Sequence, residues 1–169
     1  MRHFLWLVVA LCLCGSAGAE PTIFVVRHAE KAQPAGGDPK DPELSAAGRV
    51  RAESLALTLK DAGITAIYAS EFKRTQQTAA PIARTAGVEV TVVPAKETNT
   101  LVGRLKEHQG AALVVGHSNT IPEILKALGA SVSFTIEEPD YDNLFVLPAG
   151  APGQMIRLHL PAGQANGER

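Results

Sequence analysis

Two histidines stand where apolar runs end. Ile23-Phe24-Val25-Val26 gives way at once to Arg27-His28, and Ala111–Val115 to Gly116-His117-Ser118-Asn119-Thr120. Arginine is a permanent cation with a planar fork of donors, and histidine alone changes charge near neutral pH when unperturbed. Between the two pairs lies Arg74, four residues after Ser70, where the first turn of a helix is expected. The N–H groups and dipole of such a turn favour an anion. Arg forks bind phosphoryl oxygens in bidentate fashion, so two guanidiniums and two imidazoles at one edge match a phosphoryl group. Singly, Arg74 reads as a solvated helix charge and His117 as a satisfied, half-buried polar group. Their conjunction at three strand–helix junctions is what points to a site.

For these residues to meet, the two apolar runs must be neighbouring strands of an open α/β sheet. Ligands bind there just outside the carboxyl ends of the strands. Uninterrupted apolar runs fit strands buried on both faces. Lys31–Pro42, with three prolines and two adjacent glycines, is a loop by composition. Starting so near His28, it reads equally as a plain connection or as a flexible rim. Leu44-Ser45 opens a helix with Ser45 as N-cap and Val50, Leu55, Leu57 and Leu59 as its apolar side, closed by Gly63 after Ala62. Ile64–Ala69 is the next strand, and Glu71–Arg84 a helix limited or kinked by Pro81. Val88–Val93 is a third strand, and Thr100–His108 a helix with Leu101, Val102 and Leu105 on one side. Ala111–Val115 is the fourth strand, followed by a helix over Pro122–Leu128 that Gly129 stops. Leu144–Leu147 and Met155–Leu160 are shorter β-like runs, and Pro161–Arg169 reads as a frayed tail. Strands alternating with helices predict a three-layer α/β/α sandwich around a mostly parallel central sheet.

The chain has 169 residues, which suits one domain. Its first 19 read as a signal peptide: a basic start at Met1-Arg2-His3, an apolar Phe4–Cys14 too short to span a bilayer comfortably, and the small-x-small Ala17-Gly18-Ala19. The domain is then residues 20–169, exported to the periplasm or secreted. An N-terminal membrane anchor is the weaker alternative. A lipoprotein site is disfavoured, because Leu11 and Leu13, not small residues, precede Cys12 and Cys14. Both cysteines fall in that leader, so the mature chain offers no disulfide, thiol nucleophile or cysteine metal site. Such a domain relies on its core, for which about 150 residues suffice. The formal charge is −1, and loss of Arg2 leaves the mature chain close to neutral. There is no basic face for nucleic acid and no polybasic membrane patch, so an anion must be held by local geometry.

Arg27-His28-Ala29-Glu30, the segment Tyr68-Ala69-Ser70-Glu71-Phe72-Lys73-Arg74-Thr75-Gln76-Gln77-Thr78-Ala79, and Gly116-His117 resemble, in order, the three blocks of the histidine phosphatase superfamily. That group includes the phosphoglycerate mutases and is named for an Arg-His-Gly motif. Leu44-Ser45-Ala46-Ala47-Gly48 is similar to the family's Leu-Thr-x-x-Gly start of its first helix. The likeness runs over residues 22–147. It implies a phosphoglycerate mutase-like fold and a phosphatase needing neither metal nor cofactor. His28 would be the nucleophile and become a phosphohistidine, with Arg27, Arg74 and His117 holding the phosphoryl oxygens.

The third motif position is Ala29 in place of glycine, a small change. The short interval from Arg74 to His117 leaves little chain for a substrate cap and predicts an open site, which weakens a mutase reading. Glu97, after the third strand, is the expected general acid, with a solvated loop carboxylate as its bland alternative. Ser118 and Asn119 are expected to contact substrate or to cap the next helix. Asp142-Asn143 is a further candidate, while His108 and His159 read as surface residues. A phosphomonoester hydrolase is the favoured expectation, acting on a small-molecule or cell-envelope phosphate ester. A mutase, a pyrophosphate-cleaving enzyme and a phosphate-ester binding module without turnover are the alternatives. A metal site on His28 and His117 is also conceivable, although their spacing fits no helix-borne ligand pair. No nucleic-acid partner and no membrane insertion after leader cleavage are expected.

Overall fold

The computed structural model describes residues 21–33, 38–148, 151 and 153–160. The leader and the tail after Leu160 lie outside them, so the expectations for those segments stand as they were. Ten elements follow in order: β1 (Thr22–Arg27), α1 (Ala46–Leu59), β2 (Ile64–Ala69), α2 (Lys73–Ala86), β3 (Val90–Val92), α3 (Thr98–Glu107), β4 (Ala111–Gly116), α4 (Thr120–Ala127), β5 (Asn143–Pro148) and β6 (Ile156–His159). The strands form one sheet in the order β3-β2-β4-β1-β5-β6. β3, β2, β4 and β1 are mutually parallel, while β5 runs antiparallel to both β1 and β6.

Alternation along the strands divides the core into two layers. Val26, Ile67, Leu113, Val115 and Leu144 face α1 and α2, packing on Leu55, Leu59, Ala79 and Ile82. Val25, Ala112, Val114, Phe145 and Leu147 face the other way, onto Leu101 and Leu105 of α3 and Ile121, Ile124 and Leu125 of α4. The expected three-layer α/β/α sandwich with a mostly parallel sheet is what the chain adopts. Its path also creates a crevice. The chain leaves β1 across one face through α1, and leaves the adjacent β4 across the other face through α4. Neighbouring strands whose connections diverge are the topological switch point of such sheets.

Several expected boundaries move. In α1 the buried stripe is Gly48, Ala52, Leu55, Ala56 and Leu59, and Leu57 is 66% exposed. Two residues is more than half a helical turn, so Leu57 points away from Leu55. Ser45 is the N-cap as expected, its Oγ accepting from the Gly48 N–H at 3.0 Å. Gly48 is needed for a different reason: a Cβ there would collide with the Glu30 carbonyl. α2 continues through Pro81 to Ala86 and so does not end there. β3 is shorter than expected, because this edge strand pairs only with Ile67–Ala69 of β2.

Candidate active site

β1 and β4 end side by side, with Arg27 in register with Gly116. The His28 N–H donates to the Gly116 carbonyl at 3.0 Å. One residue beyond each strand, the rings of His28 and His117 therefore meet edge-on, centroids 5.3 Å apart, and both are buried.

The His28 Nδ1 lies 2.8 Å from the Ala29 carbonyl. A carbonyl only accepts, so Nδ1 carries the hydrogen, and the neutral ring keeps its lone pair on Nε2. Burial, aided by His117, Arg74 and Arg27, lowers the His28 pKa from 6.5 to about 3, so the ring is neutral at pH 7. The third motif position acts here through its backbone. The Ala29 carbonyl holds Nδ1, and its N–H donates to Thr78 Oγ1 at 2.9 Å. That explains why alanine serves in place of glycine.

α2 brings the rest of the second block into play. Gln77 Oε1 accepts from the Leu44 N–H at 2.8 Å, and Thr78 holds Ala29, so this helix pins both the start of α1 and the chain after β1. Arg74 lies in its first turn, stacked on the Phe72 ring at 4.3 Å. The chain supplies its own anion at that turn: Asp41 accepts from the Lys73 N–H at 2.9 Å and lies 3.8 Å from the Arg74 guanidinium. The turn's preference for an anion is thus met in part within the chain.

Arg27 is buried, with its side chain 2% exposed. It donates to the Glu137 carbonyl at 2.9 Å and to Glu138 Oε1 at 3.1 Å, and stacks 4.3 Å from the Tyr141 ring. Lys31 reaches the same Glu138 oxygen at 3.8 Å. Between residues 130 and 143 the sequence singles out only Asp142-Asn143. No periodicity or motif marks Glu138 or Tyr141, and only the tertiary path brings them to Arg27. Beside them a cavity of about 480 Å³ is lined by Lys31, Gln33, Lys40, Arg74, Glu138 and Tyr141. Among the described residues four buried side-chain donors lack a hydrogen-bond partner, and two of them, the Nε atoms of Arg27 and Arg74, belong to this cluster.

His117 Nε2 lies 2.8 Å from Ser70 Oγ, which itself lies 2.9 Å from Thr75 Oγ1. Burial, with the fields of Arg74 and Arg27 outweighing that of Glu71, lowers the His117 pKa to about 4. The turn after it is closed by Thr120, whose Oγ1 accepts from the His117 N–H at 3.0 Å. Asn119 precedes α4 without capping it through its side chain, and Ser118 is half-buried in the same turn.

The other expected residues make no side-chain hydrogen bond to this cluster among the described residues. Glu97 is exposed at the start of α3 with no side-chain cap, and Glu71 is the carboxylate whose field reaches His117. Asp142 pairs with His159 at 2.9 Å, and Asn143 accepts from Arg157 at 2.7 Å, both towards β6. His108 ends α3 and bonds Thr65 at 2.9 Å.

Buried Arg27, His28 and His117 and the half-buried Arg74 cluster at the switch point of an α/β sheet, an arrangement chemically able to hold an anion. Residues 23–99 match the sequence model of the histidine phosphatase superfamily (branch 1), a stretch that holds Arg27, His28 and Arg74. The match spans the first two of the three sequence blocks and agrees with the resemblance they carry. Comparison with curated proteins gave no match. Among solved structures, the protein histidine phosphatase SixA complexed with tungstate is 18% identical, with a TM-score of 0.66 over 82% of this chain and 96% of that one. A mycobacterial glucosyl-3-phosphoglycerate phosphatase with inorganic phosphate is 15% identical, TM-score 0.64, over 88% and 100%. Mycobacterial hydrolase 1 is 14% identical, TM-score 0.64, over 83% and 98%. At these identities the likeness is one of fold, shared across nearly the whole of each neighbour. The superfamily match supports a phosphatase function.

Proposed function

We propose that the chain is a phosphomonoester hydrolase that works through a phosphohistidine on His28. The observation that carries this reading is the pair of buried, unpartnered guanidinium Nε–H groups of Arg27 and Arg74 beside an imidazole held neutral with a free Nε2. Buried donors without partners are costly, and an anion satisfies them. Two arginines also repel a divalent cation, so the surroundings of His28 and His117 fit a phosphoryl group better than a metal.

In the first step Nε2 attacks phosphorus, the P–N bond forms, and the P–O bond to the alcohol breaks. The leaving oxygen takes a proton from an acid or from water. In the second step water attacks the phosphohistidine, the P–N bond breaks, and phosphate leaves. Arg27, Arg74 and His117 hold the phosphoryl oxygens and offset the charge that develops on them. Nδ1–H stays on the Ala29 carbonyl throughout, which keeps the ring oriented. The open cavity beside Arg74 and Tyr141 takes the alcohol portion, and Ser118 and Asn119, which follow His117 directly, are the further candidates for substrate contact. An open site does not retain its intermediate for re-transfer, which favours hydrolysis over mutase action.

The decisive experiment is His28→Ala. Phosphate release from monoester substrates is expected to vanish, and so is acid-labile labelling of the protein by a phosphorylated substrate. Activity surviving in a folded variant would refute the phosphohistidine route. Chelation is expected to leave the wild-type rate unchanged and tungstate to inhibit it; restoration of a chelated enzyme by a divalent ion would favour a metal mechanism. We further propose that Met1–Ala19 is a cleaved leader and that the enzyme acts outside the cytoplasm.

A further inference from the structure

Three contacts run in series behind His117. Thr75 Oγ1 lies 2.7 Å from the Phe72 carbonyl, Ser70 Oγ 2.9 Å from Thr75 Oγ1, and His117 Nε2 2.8 Å from Ser70 Oγ. Each hydrogen bond needs one hydrogen, and the Phe72 carbonyl has none to give. The two hydroxyls supply one each. If Thr75 donates to Phe72, Ser70 must donate to Thr75, and the third hydrogen must come from His117 Nε2. The opposite polarity, with Ser70 donating to His117, breaks the shortest contact of the three. The network is buried: Ser70, Thr75 and His117 are 5%, 0% and 7% exposed. The Thr75 hydroxyl also has a second carbonyl acceptor, that of Ser70 at 3.1 Å, so its one hydrogen goes to a carbonyl and not to Ser70 Oγ, which selects the polarity in which Ser70 donates to Thr75.

We propose that Ser70 and Thr75 are positioning residues that fix neutral His117 as its Nε2–H tautomer, so that Nδ1 is a bare acceptor until an anion binds. Nδ1 has no hydrogen-bond partner among the described residues. The charged and titratable groups that reach the ring are His28 and Arg27 from the end of β1, and Glu71 and Arg74 from the start of α2. An oxyanion cannot be held by a lone pair. To donate to a phosphoryl oxygen, His117 must take up a proton at Nδ1 and become an imidazolium, still bonded to Ser70 through Nε2–H. This consequence rests on the phosphoryl-binding reading above, whereas the tautomer does not. Ligand binding is then coupled to uptake of one proton, and it weakens as the pH rises.

Thr75→Val tests the polarity. The Phe72 carbonyl keeps two backbone donors, the N–H groups of Thr75 and Gln76 at 3.2 and 3.3 Å, while the Ser70 carbonyl gives up its 3.1 Å contact with Thr75 Oγ1. Ser70, having lost its acceptor, turns its hydrogen to His117 Nε2, and the ring switches to Nδ1–H. Thr75→Ser restores the series.

The full chain, ¹⁵N-labelled at histidine, is examined by NMR without ligand, and tungstate binding is measured by calorimetry in buffers of differing ionisation enthalpy. Tungstate stays a dianion at neutral pH, so protons taken up are the protein's. The expected result is Nε2–H at His117 in the wild type and in Thr75→Ser, and Nδ1–H in Thr75→Val. Tungstate binding by the wild type should take up one proton and weaken by about tenfold per pH unit above neutrality; in Thr75→Val both effects should disappear. A wild-type ring protonated at Nδ1 overturns the proposal without any variant. Proton uptake that persists unchanged in Thr75→Val also overturns it, because the proton then resides elsewhere, on His28. If the tautomer is as proposed and tungstate does not bind, the phosphoryl reading of the site fails and the relay stands.

Discussion

At the residue scale the site is a set of solved pairing problems with two donors left over. Glu138 is the most informative member. Its carboxylate holds Arg27 and Lys31, whose charges keep its pKa below the ordinary range, and its field reaches His28. A phosphoryl dianion arriving at Arg27 competes with it, and the displaced carboxylate, its cations now neutralised, is well placed to gain a proton. Glu97 makes none of these contacts. General acid catalysis contributes typically about 10²–10⁴-fold, and matters in proportion to how basic the leaving oxygen is. For Glu138→Gln, alkyl phosphate turnover is expected to fall by about 10²-fold or more, nitrophenyl phosphate turnover much less, and phosphate affinity to rise as Arg27 is released. Glu97→Gln is expected to change neither substrate. Turnover of the two substrates by the two variants decides between the carboxylates; a selective loss in Glu97→Gln would reinstate the expectation from the sequence.

At the element scale, the helix–strand junctions were legible wherever composition changes abruptly. The apolar runs ending in Arg27-His28 and Gly116-His117 announce buried strands and what lies at their tips, and their register makes the two tips meet. Gln77 and Thr78 were legible only as letters of a family block. Their purpose, accepting from the Leu44 and Ala29 N–H groups, depends on α2 packing against the loop after β1. Glu138 and Tyr141 left no trace, because an aperiodic segment has no face from which to infer direction. The Thr78 contact gives a test. Thr78→Val leaves the buried Ala29 N–H unpaired, at an expected cost of about 1–3 kcal/mol in denaturant unfolding. Activity should fall further than stability alone explains, since the Ala29 carbonyl orients His28. Thr78→Ser is expected to recover both.

At the scale of the whole molecule, two buried neutral histidines make the fold sensitive to acid. Folded, His28 and His117 titrate at about 3 and about 4; unfolded, each returns to its ordinary value near 6.5. Below that value the unfolded chain binds more protons than the native one. Stability from these groups is therefore whole above about pH 6.5 and declines as the pH falls towards the folded values. Thermal unfolding followed from neutral pH into this window should show Tm falling, and a His28→Asn/His117→Asn double variant should show a shallower fall. Export is checked by N-terminal sequencing of the product recovered from outside the cytoplasm, which is expected to begin at Glu20. A product beginning at Met1 and held in the membrane would favour the anchor.

The strand order carries a consequence for how the molecule is made. β1 lies between β4 and β5, so the first strand to leave the ribosome has no partner until Ala111 and its successors follow. Contacts between segments so far apart in sequence close slowly, because the intervening chain must be ordered before they form. The nucleophile and its clamp are thus a late product of synthesis: a truncated or half-threaded chain holds Arg27 and His28 with nothing opposite them. A polypeptide that postpones its central pairing in this way acquires its chemistry only once β4 has followed β1 into the sheet.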